Sequence, residues 1–149
     1  MTQNELDTLK SEHNKTINEI NNWWINENYN ENMLHQTLIA DYQRKYMLII
    51  ARINSIIDCH HALFLQFNAL KFEDMTTAQI NKRDIHQSYI KLFKHRKENV
   101  RNLLYAMTAK EEKRHIQMMR MNVETRDKKR EEATTKFNEL THNIKFIIP

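Results

Sequence analysis

An all-α fold is the fold class that the sequence predicts, in the form of an elongated antiparallel helical hairpin or bundle with coiled-coil character and three to four helices. The 149 residues include no glycine and one proline, Pro149, so the residues that form tight strand hairpins are missing. Apolar residues recur three and four positions apart over most of the chain, which is the spacing of one helix face. The length fits one domain, and we expect a single helical domain over residues 1–149.

The first predicted helix covers approximately residues 4–25. Its apolar residues fall at helical spacing, from Leu6 to Trp24, with polar residues between them. It is expected to end in the asparagine-rich stretch 26–32, because asparagine side chains compete for backbone hydrogen bonds and favour caps and turns.

The second predicted helix, approximately residues 33–72, carries the clearest pattern in the chain. Aromatic and aliphatic side chains, with one histidine, alternate four and three positions apart, which is a heptad seam. The predicted seam is Tyr42, Tyr46, Ile49, Ile53, Ile56, His60, Leu63 and Phe67. A second apolar row beside it, with Ile50 and Ile57, widens the stripe, so we expect more than one helix to pack here.

Two further helices are expected, over approximately residues 77–107 and 109–146. Thr76 followed by Gln79 matches a capping box, which marks a helix start after the chain turns back. Thr108 with Glu111 matches the same motif and places another start near residue 109, although a continuous helix through this point is the alternative.

The composition argues against enzymatic function. Without glycine the chain cannot form the phosphate-binding loops of nucleotide enzymes or the nucleophile elbow of serine hydrolases. No catalytic pair of defined geometry emerges from the sequence. We therefore expect no enzymatic activity and no cofactor.

The lone cysteine and the amino-terminal sequence indicate the cellular compartment in which the protein is expected. Cys59 cannot form an intrachain disulfide, and its apolar neighbours predict a small buried hydrophobe in a reducing compartment. No basic leader precedes an apolar segment, and no uninterrupted apolar run of membrane-spanning length occurs. The expectation is a cytoplasmic protein without membrane insertion.

Two carboxylate-x-x-histidine pairs raise a metal-binding alternative. Asp58 with His61 and Glu112 with His115 each share a helix face, as in di-metal carboxylate-histidine bundles. The further inward carboxylates that such a centre needs are not evident in the sequence, so no metal is predicted and the four residues stand as an alternative. His60 belongs to the apolar seam, where a hydrogen-bonded polar residue can fix the register of two helices.

Basic residues cluster in two segments, 94–101 and 126–132. With 23 basic and 19 acidic residues the net charge is +4, and both segments mix cations with acidic or polar residues. Nucleic-acid binders usually show a denser basic face or an aromatic platform, so a solvated helix face is favoured and nucleic-acid binding is kept as an alternative.

Large apolar residues near helix ends are the candidate binding residues, because they are hardest to bury within the chain. They are Trp23, Trp24, Phe146, Ile147 and Ile148. The adjacent tryptophans must point in different directions on a helix, so we expect one to pack inward and the other to be accessible. A thin hairpin cannot cover both stripes of the second helix, which favours a homodimer.

Three strings resemble the FliJ and YscO type of export-apparatus stalk proteins. They are "ELDTLK" near the amino terminus, "DYQRKY" and "ETRDKKREEA". The resemblance implies a two-helix antiparallel coiled coil that inserts into a hexameric export ATPase, contacts the export gate and handles secretion chaperones. The sequence departs from the family in the "NNWWINENYNEN" segment and in its apolar end, "NIKFIIP".

The sequence therefore predicts a non-enzymatic protein-protein interaction module that binds within a larger complex. A secretion-apparatus accessory, chaperone-escort or stalk role is the form that the resemblance implies. A small phage- or virus-type inhibitor or adaptor protein would have a similar helical pattern and is the alternative in the same class.

Overall fold

The computed structural model describes the backbone of residues 2–147 and the side chains of residues 2–142. Two long α-helices, α1 over Gln3–Asn68 and α2 over Thr77–Ile147, flank a single 3-10 turn at Phe72–Asp74. No strand occurs in the described part of the chain. The all-α prediction is confirmed, and the prediction of three to four helices is wrong.

Helix α1 does not end at the asparagine-rich stretch 26–32. It continues through this stretch because two of the side chains there bond across to α2 instead of to their own backbone. Asn28 accepts a hydrogen bond from Asn122 at 3.2 Å, and Glu31 binds Arg114 and His115. The predicted boundary between helices 4–25 and 33–72 is therefore wrong.

Helix α2 likewise runs without interruption through Thr108 and Glu111. Glu111 is 4% exposed and lies inside the helix, so the motif that resembled a second capping box has no helix end to cap. The separate helices predicted over 77–107 and 109–146 are one helix, and the continuous alternative is confirmed.

The chain reverses between α1 and α2 without a left-handed residue, since no residue of the described backbone has a positive φ angle. The predicted capping box is confirmed: the Gln79 side chain accepts a hydrogen bond from the Thr76 amide at 2.9 Å, and the Thr76 hydroxyl accepts one from the Gln79 amide at 3.2 Å. This reciprocal pair satisfies amides at the start of α2.

Backbone contacts divide the chain into two compact units. Unit 1 contains residues 1–36 and 112–149, and unit 2 contains residues 37–111. Each unit holds one stretch of α1 and one stretch of α2. The stretches run antiparallel within each unit, as the cross-helix contacts of His13 with Phe137 and of Asn28 with Asn122 show for unit 1.

Few residues are fully buried in either unit. In unit 2 they are Ile53 and Ile90, each 8% exposed, and Glu111, 4% exposed. In unit 1 the buried residues among those described are polar, namely Glu31 and Asn122. In a pair of helices each helix has only one stripe in contact with the other, so most apolar side chains are half-buried at best.

Candidate functional site

A buried carboxylate lies at the centre of the contact between the helices of unit 1. Glu31 is 7% exposed and accepts hydrogen bonds from Arg114 on both carboxylate oxygens, at 2.7 and 3.4 Å. The Nδ1 atom of His115 lies 3.2 Å from one of the same oxygens, and the His115 ring stacks on His35 with centroids 4.1 Å apart. A sequence pattern could not reveal this cluster, because its members lie on different helices.

The geometry of this cluster suits positioning more than catalysis. Both Glu31 oxygens are engaged by the facing helix, and a forked guanidinium contact fixes the angle as well as the distance. A buried carboxylate held by a partly exposed guanidinium on the facing helix can set the register of two helices. The cluster therefore holds α1 against α2 in unit 1.

Polar contacts continue along unit 1 beyond this cluster. Asn122 is buried and donates to Asn28, and the Nε atom of Arg130 donates to the Asn21 side chain at 2.9 Å. The helix contact in this unit is thus lined by side chains that must match in hydrogen-bonding capacity as well as in size.

The two adjacent tryptophans are both half-buried, each under a cation from α2. The Lys129 Nζ atom lies 3.8 Å from the centre of a Trp23 ring, and the Arg126 guanidinium carbon lies 4.3 Å from the centre of a Trp24 ring. The expectation that one tryptophan packs inward while the other stays accessible is not what the structure shows. Cation–π contact of this kind stabilises the helix pair.

The other three candidate binding residues lie outside the described residues. Ile148 falls beyond the described backbone, and the described side chains end before Phe146 and Ile147. Their proposed role stays a prediction.

The seam predicted on α1 lies between the helices of unit 2. Seven of its eight residues are buried or half-buried, and Ile49 departs from the pattern with 48% exposure. The Nδ1 atom of His60 lies 3.0 Å from that of His86, so His60 has the hydrogen-bond partner expected of a seam histidine. Its ring also stacks on Tyr89, with centroids 4.8 Å apart.

The residues of the metal alternative are not brought together. Asp58 and His61 are exposed in unit 2, whereas Glu112 and His115 belong to unit 1, where His115 contacts Glu31. Within the described residues no group of three or more His, Cys, Asp or Glu side chains could hold a metal ion. The prediction that Cys59 is buried is wrong: it is exposed on the surface of α1.

Basic residues of both charged segments make contacts within the chain. The Arg96 guanidinium carbon lies 4.9 Å from the centre of the Phe93 ring, and Arg101 pairs with Glu98 at 3.5 Å. In the second segment Arg126 pairs with Asp127 at 3.1 Å and also covers Trp24. Nucleic-acid binding through these segments stays an alternative.

The most distinctive surface is an exposed apolar face on unit 2. By length and composition alone α1 contains one stretch apolar enough to cross a membrane, with mean hydropathy 1.3, and 6% of its residues are fully buried. Met47 and Leu48 are 68% and 67% exposed, and Leu65 is 49% exposed. Exposed large apolar side chains on one side of a helix are candidates for contact with a partner.

This face contains a second heptad row on α1, which we call the outer seam. Its members alternate four and three positions apart, and all of them are exposed. They are Arg44, Leu48, Ala51, Ser55, Asp58, Ala62 and Leu65. The row can be found in the sequence by applying the same alternation of four and three positions to the side of the helix opposite the predicted seam. Its small residues give a weak hydrophobic signal.

Comparison of the chain with protein-family models, with curated proteins and with solved structures finds no match.

Proposed function

We propose that the chain is a non-enzymatic helical protein-protein interaction module, and that the exposed apolar face of unit 2 is its binding surface. One observation carries the proposal: on the most apolar part of α1 the side chains of Met47, Leu48 and Leu65 are 68%, 67% and 49% exposed. Leaving large apolar side chains in water is unfavourable by roughly 25 cal/mol for each Å². A protein partner that covers Met47, Leu48 and Leu65 would recover that free energy.

The polar clusters support a contact function. In the Glu31 cluster and in the His60–His86 pair, side chains that are common in catalysis are held against each other across two helices. Both arrangements position helices, and neither leaves a carboxylate and an imidazole converging on an open cleft.

Membrane insertion of the apolar stretch is disfavoured by its charges. Arg52 and Asp58 lie within it, and a charged side chain at the centre of a membrane span costs about 2.5–3.5 kcal/mol on insertion scales. The inner side of the same stretch also carries the half-buried Asn54 and His60. A protein partner can satisfy such groups by hydrogen bonding, whereas lipid chains cannot.

The narrower forms of this proposal rest on the sequence. A cytoplasmic secretion-apparatus accessory, chaperone-escort or stalk protein is the form implied by the resemblance to the FliJ and YscO type. An inhibitor or adaptor of phage or virus type would use the same kind of surface. In each form the partner is a protein in a larger complex, and a second copy of the chain is a further protein that could cover the face.

Site-specific photocrosslinking tests the proposal. A photoreactive amino acid at Met47, on the exposed face, should yield protein adducts in cells that express the chain, and Leu48→Glu should abolish them. The same group at Gln87, an exposed polar position of unit 2, is the matched control and should yield few adducts. Adducts with lipid alone, or equal adducts at both positions, would contradict the proposal.

A further inference from the structure

We propose that a second copy of this chain covers the outer seam of α1, with the two α1 helices antiparallel about a twofold axis between Ser55 and Asp58. This inference rests on the proposed function, because it names the protein that occupies the same apolar face. It commits to one register, in which Leu48 of each copy faces Leu65 of the other.

The spacing of the outer seam is the first step. Residues that alternate four and three positions apart form the contact line of a two-stranded coiled coil. The seam predicted from Tyr42 to Phe67, which we call the inner seam, already faces α2, with Ile53 buried and His60 bonded to His86. The outer seam repeats the same period on the opposite side of α1, and the structure leaves it exposed.

Size matching fixes the register. A heptad seam has two kinds of position, which alternate along the helix. When two copies run antiparallel around this axis, each position of one kind lies against a position of the other kind in the second copy. The layers formed in this way, each occurring twice, are Leu48 with Leu65, Ala51 with Ala62, and Ser55 with Asp58. Leucine thus meets leucine and alanine meets alanine, so the helices can approach closely without voids.

Charge matching selects the antiparallel direction. A parallel pair would place Asp58 against Asp58 and Arg44 against Arg44, and like charges in the same layer repel. In the antiparallel pair Asp58 meets the Ser55 hydroxyl of the second copy instead. That hydroxyl now donates to the Ala51 carbonyl at 3.1 Å, and rotation about its χ1 angle would turn it toward the carboxylate.

Self-complementarity is the reason to choose a second copy over another occupant. A twofold interface requires that one patch match itself, and each of these layers takes both of its members from the same seam. Lipid chains could not offer a hydrogen-bond donor to Asp58, which lies in the middle of the seam. The internal symmetry of the outer seam matches a second copy of the seam, whereas binding to a different protein would not require such symmetry.

Disulfide trapping tests the register directly. In a Cys59→Ala background, the double variant Ala51→Cys with Ala62→Cys should form a disulfide-linked dimer on mild oxidation, because the two positions face each other only between copies. Within one helix they are about 16 Å apart at 1.5 Å per residue, too far for an internal disulfide. Ala51→Cys alone should stay uncrosslinked, since only a parallel pair brings that position against itself.

Mass determination by light scattering supplies the second readout. The unmodified chain should approach the mass of two copies as concentration rises, and Leu48→Glu should raise the dimer dissociation constant roughly tenfold or more because it buries unpaired charge. Leu103→Glu is the matched control: Leu103 is also exposed, at 59%, but lies on α2 outside the outer seam. It should leave the dimer intact, and circular dichroism should show equal helix content in both variants.

Several results would overturn the inference. They are a monomer at every concentration, crosslinking of the single Ala51→Cys variant equal to that of the double variant, or equal weakening by the two glutamate variants. Leu48-dependent binding of the monomer to phosphatidylglycerol vesicles would also overturn it. If photocrosslinking at Met47 captures only a different protein while the chain stays monomeric, the proposed function stands and this inference fails.

Discussion

The Nδ1 atoms of His60 and His86 lie 3.0 Å apart across the two helices of unit 2. A hydrogen bond at this distance requires one ring to carry the Nδ1 proton and the other to accept it. The rings also lie among aromatic side chains, with Phe67 stacked on His86 and Tyr89 stacked on His60. The pair therefore couples α1 to α2 through a contact that neither histidine makes alone.

A double-mutant cycle should reveal that coupling. We expect His60→Ala and His86→Ala to interact by about 0.5–1.5 kcal/mol in the free energy of unfolding, the usual net contribution of one hydrogen bond. Urea unfolding followed by circular dichroism measures the four free energies. His61→Ala, at an exposed neighbouring position, should combine additively with His86→Ala. Equal coupling for His60 and His61 would show that the pair does not act as the structure indicates.

Removal of the buried carboxylate in unit 1 should destabilise the helix pair. Glu31→Ala leaves Arg114 and His115 without their shared acceptor, and we expect the free energy of unfolding to fall by about 1–3 kcal/mol. The Arg114 side chain is 35% exposed, so water compensates part of the loss. Glu27→Ala, an exposed position one turn earlier on α1, controls for helix propensity and should change stability by less than about 0.5 kcal/mol. Similar losses in the two variants would count against the structural role of Glu31.

Asp41 provides a local electrostatic test in unit 2. Hydrogen bonds from Lys45 and from Arg44 hold the pKa of the Asp41 carboxyl below its ordinary value of 3.8. Carboxyl-detected NMR titration should show this, and Lys45→Gln should raise the pKa more than Arg44→Gln does, because the Lys45 contact is the larger cause. Lys82→Gln, elsewhere in the same unit, should leave it unchanged.

The sign of the effect on stability follows from the direction of that shift. A carboxyl whose pKa is lower in the folded chain favours folding above its unfolded pKa, and the contribution disappears as pH falls through the folded value. The contribution of Asp41 should therefore be present at neutral pH and lost below about pH 4, near the ordinary carboxyl value. Since the residue lies at the surface, the change should be small. Titration of Asp41 at or above its ordinary value would contradict the assignment.

The sequence predicted the structure correctly where the interactions that determine it are local or follow the helical period. The inner seam could be read from apolar spacing, and His60 could be placed on it because a histidine occupied an expected apolar position. The fold class followed from the missing glycine and from helical periodicity. These signals depend on residues that lie within a few turns of each other on one helix.

The errors arose where partners lie far apart in the sequence. Asparagines at 26–32 suggested a helix end, but Asn28 and Glu31 find partners on α2, which no local pattern shows. Glu111 resembled the last residue of a capping box, although it is buried within a continuous helix. Cys59 was expected to be buried because its neighbours are apolar, yet it lies on the outer side of α1. Composition alone could not separate the two sides of that helix.

The turn between the helices should depend on the Thr76–Gln79 capping box, since the chain contains no glycine to reverse its direction. Thr76→Ala removes the hydroxyl that accepts a hydrogen bond from the Gln79 amide, and we expect the free energy of unfolding to fall by about 1 kcal/mol. Gln79→Ala removes the reciprocal contact to the Thr76 amide and should lower stability by a smaller amount, because that amide can bond to water in an exposed turn. Thr77→Ala, at the first residue of α2, is the matched control and should have little effect.

Hydrogen exchange of the amides at positions 76 and 79 should quicken in the two cap variants and stay slow in the control. Exchange that is unchanged in Thr76→Ala would mean that packing of the α2 stretch against α1 in unit 2, and not the capping box, holds the start of α2.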